Sequence, residues 1–279
     1  MGYLHKQGKV ILAAAGPGDV DLVTIKTAKY LQDADVVLTD RLVNKEIISR
    51  YCKKSVQVIE VGKQAGKEGS TPQVTINNLM AEFAEKGNLV VRLKGGDVSV
   101  FSNVLEELET LTNRGIAYEI VPGVTAALGA AAYAGIPLTA RGYASGVRLL
   151  TFNNPALVTE DEWKAWAKTT DTLVFYMSAQ TLSALSEKLF EAGMSADKPL
   201  AIIEQATTPV QQVKIATIGH YLNGSEKVDY VSPTLVIIGE VVKLHPRFQW
   251  FKGSNGPVDF FTPVGDNPSN KKQNIHAAF

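Results

Sequence analysis

The chain has 279 residues, with 45% hydrophobic and 20% charged side chains, a globular composition with room for about two ordinary domains. Lys+Arg and Asp+Glu balance at 28 each, which argues against a broad basic surface for nucleic acid. The single cysteine, Cys52, excludes a disulfide framework, a cysteine zinc site and a CxxC redox pair. The start, MGYLHKQGK, has no signal-peptide core, and Lys6 stands where a myristoylation motif needs Ser or Thr. The longest nearly apolar stretch, residues 126–138, is broken by Gly129, Gly135 and Pro137 and is too short to span a bilayer, so a cytoplasmic protein without membrane association is expected.

Strand-like and helix-like runs alternate from the beginning. Residues 10–14 form an apolar run ending in Gly16-Pro17-Gly18, followed by Leu22, Ile25, Ala28 and Leu31 at helical spacing, with Asp19 or Asp21 as the N-cap. Residues 36–38 read as a buried strand ending at Asp40, and 56–61 as another ending at Gly62-Lys63. Ile76, Leu79, Met80, Phe83 and Ala84 share a helix face closed by Gly87. A strand over 89–93 ends in Lys94-Gly95-Gly96-Asp97, Leu105, Leu108 and Leu111 mark the next helix, and 118–121 leads into Pro122-Gly123. This is the pattern of an α/β protein with a mostly parallel sheet, whose ligand site lies beyond the carboxyl ends of the strands. Five such ends carry Gly, Pro or charge and are expected to converge on one crevice.

A second alternation follows, with strands expected over 147–152, 173–177, 201–204, 213–218 and 234–242 and a helix face at Leu182, Leu185 and Leu189. The split is placed in the turn around Gly142, giving a first domain over 1–142 and a second over 143–251; residues 252–279 are expected to be a flexible tail.

Single motifs decide little. Gly16-Pro17-Gly18 lacks the third glycine of a dinucleotide fingerprint, because Asp21 occupies its place, and no P-loop, HExxH or GxSxG is present. A strand-to-helix turn is the plainer reading of that loop. Gly95-Gly96-Asp97 offers close backbone approach and a carboxylate, or equally a tight turn. The four histidines, His5, His220, His245 and His276, avoid the first-half strand ends, so no metal centre is expected and acid–base work falls to Asp40, Lys63 and their neighbours. Taken alone, Asp40-Arg41 is also a local ion pair and Lys63 a solvated lysine.

In order, AGPGD (15–19), ADVVLTDRLV (34–43), VGK (61–63), VVRLKGGD (90–97), YEIVPGVTAALGAAAYAGIPLT (118–139), TLVFYM (172–177) and SPTLVIIGEVV (232–242) resemble the tetrapyrrole methylase family, and within it the uroporphyrinogen-III C-methyltransferases. The resemblance runs from about residue 8 to 251. It implies two α/β domains with the active site in the cleft between them, S-adenosylmethionine as methyl donor, and a homodimer. It implies that Pro17, Gly95, Gly96, Asp97, Val100, Thr125 and Ala126 bind the cofactor, with Met177 and Ala206 joining from the second domain. Asp40 becomes the proton acceptor and Lys63 the proton donor. The implied reaction methylates uroporphyrinogen III on two adjacent rings to precorrin-2, for sirohaem or cobalamin. Its carboxylates need cations, for which Arg41, Lys94, Arg141 and Arg148 are the candidates beside Lys63. A methylase of a later precorrin and a non-catalytic cofactor-binding relative are the alternatives, and a nicotinamide oxidoreductase is a distant one. An oxidase–chelatase module is expected on a separate protein. Departures from the family pattern fall at Val20, Gln64 and residues 98–105, where a proline, an arginine and three glycines are replaced.

Overall fold

The computed structural model describes residues 8–62, 70–224, 230–254 and 259–261. The described chain divides into two compact units, one running to Thr125 and resuming at Phe261, the other spanning Ala126–Phe260.

The first unit is built in the order β1 (Lys9–Ala14), α1 (Ile25–Asp33), β2 (Val36–Thr39), α2 (Lys45–Tyr51), β3 (Gln57–Glu60), α3 (Gln73–Glu85), β4 (Leu89–Lys94), α4 (Val104–Asn113) and β5 (Ala117–Val121). Its sheet has the order β3-β2-β4-β1-β5 and every pairing is parallel. All five carboxyl ends therefore lie along one edge. Because successive strand residues face opposite ways, β1 and β4 bury two faces. Val10, Leu12, Val90 and Val36 pack with Ile76, Met80 and Leu111 from α3 and α4, and Ile11, Ala13, Val37 and Val91 pack with Leu31 and Ile47 from α1 and α2. Asp19 caps a short 3-10 turn over Val20–Leu22, and α1 starts later, with the Thr24 hydroxyl accepting from the Thr27 amide. The expectation of one helix from Leu22 thus resolves into a turn and a helix, each with its own cap.

The second unit runs α5 (Ala126–Tyr133), β6 (Val147–Thr151), α6 (Glu160–Lys168), β7 (Thr172–Tyr176), α7 (Leu182–Glu191), β8 (Pro199–Glu204), β9 (Gln212–Thr217), β10 (Thr234–Ile238) and α8 (His245–Phe248). Its sheet, ordered β6-β7-β10-β8-β9, is mixed: β6 and β7 are parallel, while β10 is antiparallel to β7 and β8, and β9 is antiparallel to β8. β7 and β8 consequently point the same way. The expected strand over 234–242 stops at Ile238, because Val242 donates back to the Gly239 carbonyl and residues 240–244 close into a 3-10 turn that buries Val241 and Val242.

The domain split falls earlier than the expected 142/143. The alanine-rich α5 buries Ala127, Ala130, Ala131 and Ala134 with Ile136, Leu138 and Ala144 against Val174, Ala201, Ile203 and Ile237, so the segment 126–142 belongs to the second core. Parts of the expected flexible tail, residues 252–254 and 259–261, are described. The Ser254 amide donates to the Pro209 carbonyl at 2.6 Å, the Phe260 amide to Gln205 Oε1 at 2.6 Å, and Phe261 is buried. Among the described residues no helix is long and apolar enough to cross a membrane.

Candidate functional site

In the first unit the carboxyl-edge loops are joined to one another. Gly16 and Gly96 exchange two backbone hydrogen bonds, Gly16 N to Gly96 O at 3.1 Å and Gly96 N to Gly16 O at 2.7 Å. Both glycines adopt left-handed φ, 77° and 69°, which a side chain would disfavour. Asp97 is buried beneath them. Its Oδ1 accepts from the Ser99 amide at 2.8 Å and the Ser99 hydroxyl at 2.5 Å, and its Oδ2 accepts from the Gly123 amide at 2.8 Å. Burial alone would raise the Asp97 pKa, but the bonds from Gly123 and Ser99 outweigh it and hold the carboxyl below its ordinary value. Asp97 thereby ties the Gly95-Gly96 loop to the Pro122-Gly123 loop. Pro17 is buried just beyond Gly16, and the Asn44 amide donates to the Gly18 carbonyl at 2.8 Å.

Beside this loop a cleft of about 200 Å³ is lined by Asp40, Arg41, Leu42, Gln73, Arg92, Lys94, Gly95 and residues 100–103. Asp40, Arg41, Lys94, Gly95 and Val100 of the expected site are therefore gathered in one place. Asp40 follows β2 and its Oδ1 accepts from Arg92 Nη2 at 2.5 Å. Arg92 is 3% exposed and donates through Nε to Glu107 Oε1 at 2.9 Å; Glu107 is fully buried, and its Oε2 accepts from Lys94 Nζ at 2.8 Å. Burial opposes the charge on Arg92, but Asp40 and Glu107 override it and raise its pKa. Burial, aided by Arg92, pushes the Lys94 ammonium below its ordinary value despite Glu107. Lys94, expected as a cation for substrate carboxylates, lines the cleft and is engaged with the Glu107 carboxylate. Lys63 lies outside the described residues.

In the second unit, Met177 follows β7 with φ 57° and is 56% exposed. Ala206 follows β8, is buried, and is flanked by Gln205 and Thr207, both with left-handed φ. Because β7 and β8 both run antiparallel to β10 between them, they point the same way, and Met177 and Ala206 lie along the same edge of this sheet. The Thr207 amide donates to Gln211 Oε1 at 2.7 Å and the Gln205 amide to the Pro233 carbonyl at 2.7 Å, which fixes the bend. Thr125 is buried at the close of the first unit, and half-buried Ala126 opens α5. The Tyr176 hydroxyl accepts from the Ala127 amide at 3.0 Å. Arg141 is exposed in a turn bridged by Ala140 and Ala144, and Arg148 Nε donates to Asp171 Oδ2 at 2.9 Å.

The sequence reading missed Arg92 and Glu107. The signal was present: Arg92 and Lys94, two residues apart on an otherwise apolar strand, face the same side and require a buried carboxylate.

The family model for tetrapyrrole (corrin/porphyrin) methylases matches residues 9–221, and the chain belongs to that family. It is 43% identical over 252 residues to siroheme synthase 3 of Aeromonas hydrophila, covering 90% of this chain and 53% of that one. The chain spans about half the length of the curated relatives it matches. Among solved structures, uroporphyrin-III C-methyltransferase of Thermus thermophilus matches with TM-score 0.72 at 34% identity, covering 88% of this chain and 98% of that chain. The Thermus thermophilus enzyme complexed with S-adenyl homocysteine matches with TM-score 0.72 at 33% identity, covering 85% of this chain and all of that one.

Proposed function

We propose that this chain transfers methyl groups from S-adenosylmethionine to carbon atoms of uroporphyrinogen III, on two adjacent rings, giving precorrin-2 for sirohaem or cobalamin synthesis. The observation that carries the reading is the Asp40 carboxylate, fixed by buried Arg92 at a cleft that the Gly95-Gly96 loop also lines. At Gly95 a Cβ would stand 3.0 Å from the Leu42 carbonyl oxygen, and at Gly123 2.5 Å from the Ala14 Cβ, so close packing of the loops on their neighbours requires glycine at both positions. Pro17, Gly95, Gly96, Val100, Thr125, Ala126, Met177 and Ala206 hold the cofactor in this reading, with Asp97 acting beneath the loop as its tie.

When bound, the sulfonium supplies a methyl that is already activated. The protein's share is placement in line with an electron-rich pyrrole carbon. Carbon attack leaves a cationic ring that must lose a proton. Asp40 stabilises that charge and accepts the proton, and Lys63 serves as the proton donor. Arg41, Arg141 and Arg148 meet the substrate carboxylates, Arg148 after exchanging its partner Asp171. Action in the cytoplasm as a homodimer belongs to the same proposal.

The test is anaerobic incubation of reduced uroporphyrinogen III with methyl-labelled S-adenosylmethionine. Two labels per macrocycle are expected. Label entering only a later precorrin overturns the substrate, and cofactor binding without any transfer overturns the catalytic reading.

A further inference from the structure

Four ionisable side chains in the first unit form one alternating line: Asp40, Arg92, Glu107 and Lys94. Three of them are 3% exposed or less, and only Asp40 reaches solvent, with 29% of its side chain exposed. Arg92 has every nitrogen engaged. Besides Asp40 and Glu107 it donates from Nη1 to the Leu38 carbonyl at 3.4 Å and the Leu93 carbonyl at 3.3 Å. The parallel register that sets Leu38 beside Arg92 and Thr39 beside Leu93 brings the guanidinium to the end of β2, where Asp40 begins the loop. Two cations and two anions make the line neutral, which lets it be buried.

Burial of this kind is a poor source of stability. An apolar set of similar volume would serve the core as well or better, since the desolvation of paired charges offsets most of their attraction. The surrounding positions of β4, Val90, Val91 and Leu93, are apolar and fully buried. What the line achieves is orientation. A guanidinium locked through Nε by a buried carboxylate and through Nη1 by two backbone carbonyls has its Nη2 fixed in place, and Nη2 holds one oxygen of Asp40. The Arg92 bond engages Oδ1, and Asp40 itself lines the cleft. Among the described residues, other charged groups near Asp40 are Arg41 on its own loop and, on neighbouring β3, Glu60, which pairs with Lys45.

We infer that Arg92, itself held by Glu107 and Lys94, is a positioning residue for methyl transfer: it fixes the carboxylate of Asp40 in one orientation at the cleft. The inference rests on the methyltransferase reading above. A lysine at position 92 keeps the charge but loses the fork that reaches Asp40, Glu107 and the two carbonyls together.

The experiment compares wild type, Arg92→Lys, Arg92→Met, Asp40→Asn and the double variant Arg92→Lys/Asp40→Asn. Circular dichroism and calorimetric S-adenosylhomocysteine affinity monitor folding and the cofactor site. Arg92→Lys is expected to lower kcat about 10- to 100-fold with KM and cofactor affinity within about threefold, the pattern of a lost transition-state interaction. In the Asp40→Asn background the same change is expected to cost under about twofold, because the two residues act as a unit. Arg92→Lys is the conservative partner should Arg92→Met fail to fold. A readout free of turnover is the carbon-13 carboxyl resonance of Asp40, assigned by its loss in Asp40→Asn and expected to shift in Arg92→Lys. Equal losses of kcat in both backgrounds, or an unmoved Asp40 resonance, overturn the inference alone. A wild type that transfers no methyl overturns the functional reading and the inference together, before any variant is assayed.

Discussion

At the carboxyl edge of the first sheet the left-handed turns that join the loops fall on Gly16 and Gly96, whereas in the second unit the residues after β7 and β8 that turn left-handed are Met177, Gln205 and Thr207. Left-handed backbone costs a residue with a Cβ about 1 kcal/mol or more, and a β-branched threonine suffers most. The first unit avoids that cost at Gly16 and Gly96 but accepts it at Phe101 and Asn103, which line the cleft. The second unit accepts the strain and restrains it with amide side chains, Gln211 at Thr207 and Gln205 at Phe260. Glycine suits a loop whose backbone is approached closely, while a retained side chain in strained backbone marks a position where the side chain itself is wanted.

The largest effect is expected from breaking the glycine side. In Gly123→Ala the new Cβ would lie 2.5 Å from the buried Ala14 Cβ, so strand or loop must move. Denaturant unfolding should show a loss of about 1–3 kcal/mol, and calorimetry should show weaker S-adenosylhomocysteine binding. Wild-type values for both would mean that the close packing of these loops is not required.

Met177→Gly tests the opposite arrangement and should act with opposite signs. Relief of the left-handed backbone is expected to raise stability by up to about 1 kcal/mol, seen as a higher Tm, while cofactor affinity falls. A variant with unchanged affinity would remove Met177 from the proposed site and leave its strain without a functional account.

The smallest effect separates the two kinds of tie. Asp97 has its pKa lowered in the folded protein, so its contribution is fully present above the ordinary aspartate value and is lost as pH falls through the folded value. The Gln211 tie does not titrate. Hydrogen-exchange protection at the Gly123 amide should therefore fall with acid before protection at the Thr207 amide does. Asp97→Asn should abolish the difference in acid sensitivity, and equal sensitivity in wild type would show that Asp97 is not what holds the Gly123 loop.

Much of this was legible in the sequence where local chemistry decided the outcome. Apolar runs such as residues 10–14 and 89–93 fixed strands because parallel sheets bury both faces, and Gly87 and Gly115 marked helix ends. Helix α6 was missed although Thr159 and Glu162 form a capping box, since its two buried tryptophans give a sparse apolar stripe. The domain boundary was misplaced because α5 is apolar on nearly every side and its sequence does not say which core it joins. The strand ends named Asp40 and Gly96 as residues of one edge, but the Asp40–Arg92 contact depends on the register of β2 beside β4, which links positions 52 residues apart. Such pairings arise from packing between distant segments and leave only an indirect trace, here the two cations on a buried strand.

The mutual clasp of Gly16 and Gly96 has a consequence for ligand class. Each glycine turns its amide toward the other's carbonyl, so neither N–H is available to cradle a pyrophosphate in the manner of a nucleotide-binding loop. The strand, glycine turn and helix of the first unit thus stand without the two free glycine amides that a phosphate-cradling loop would offer.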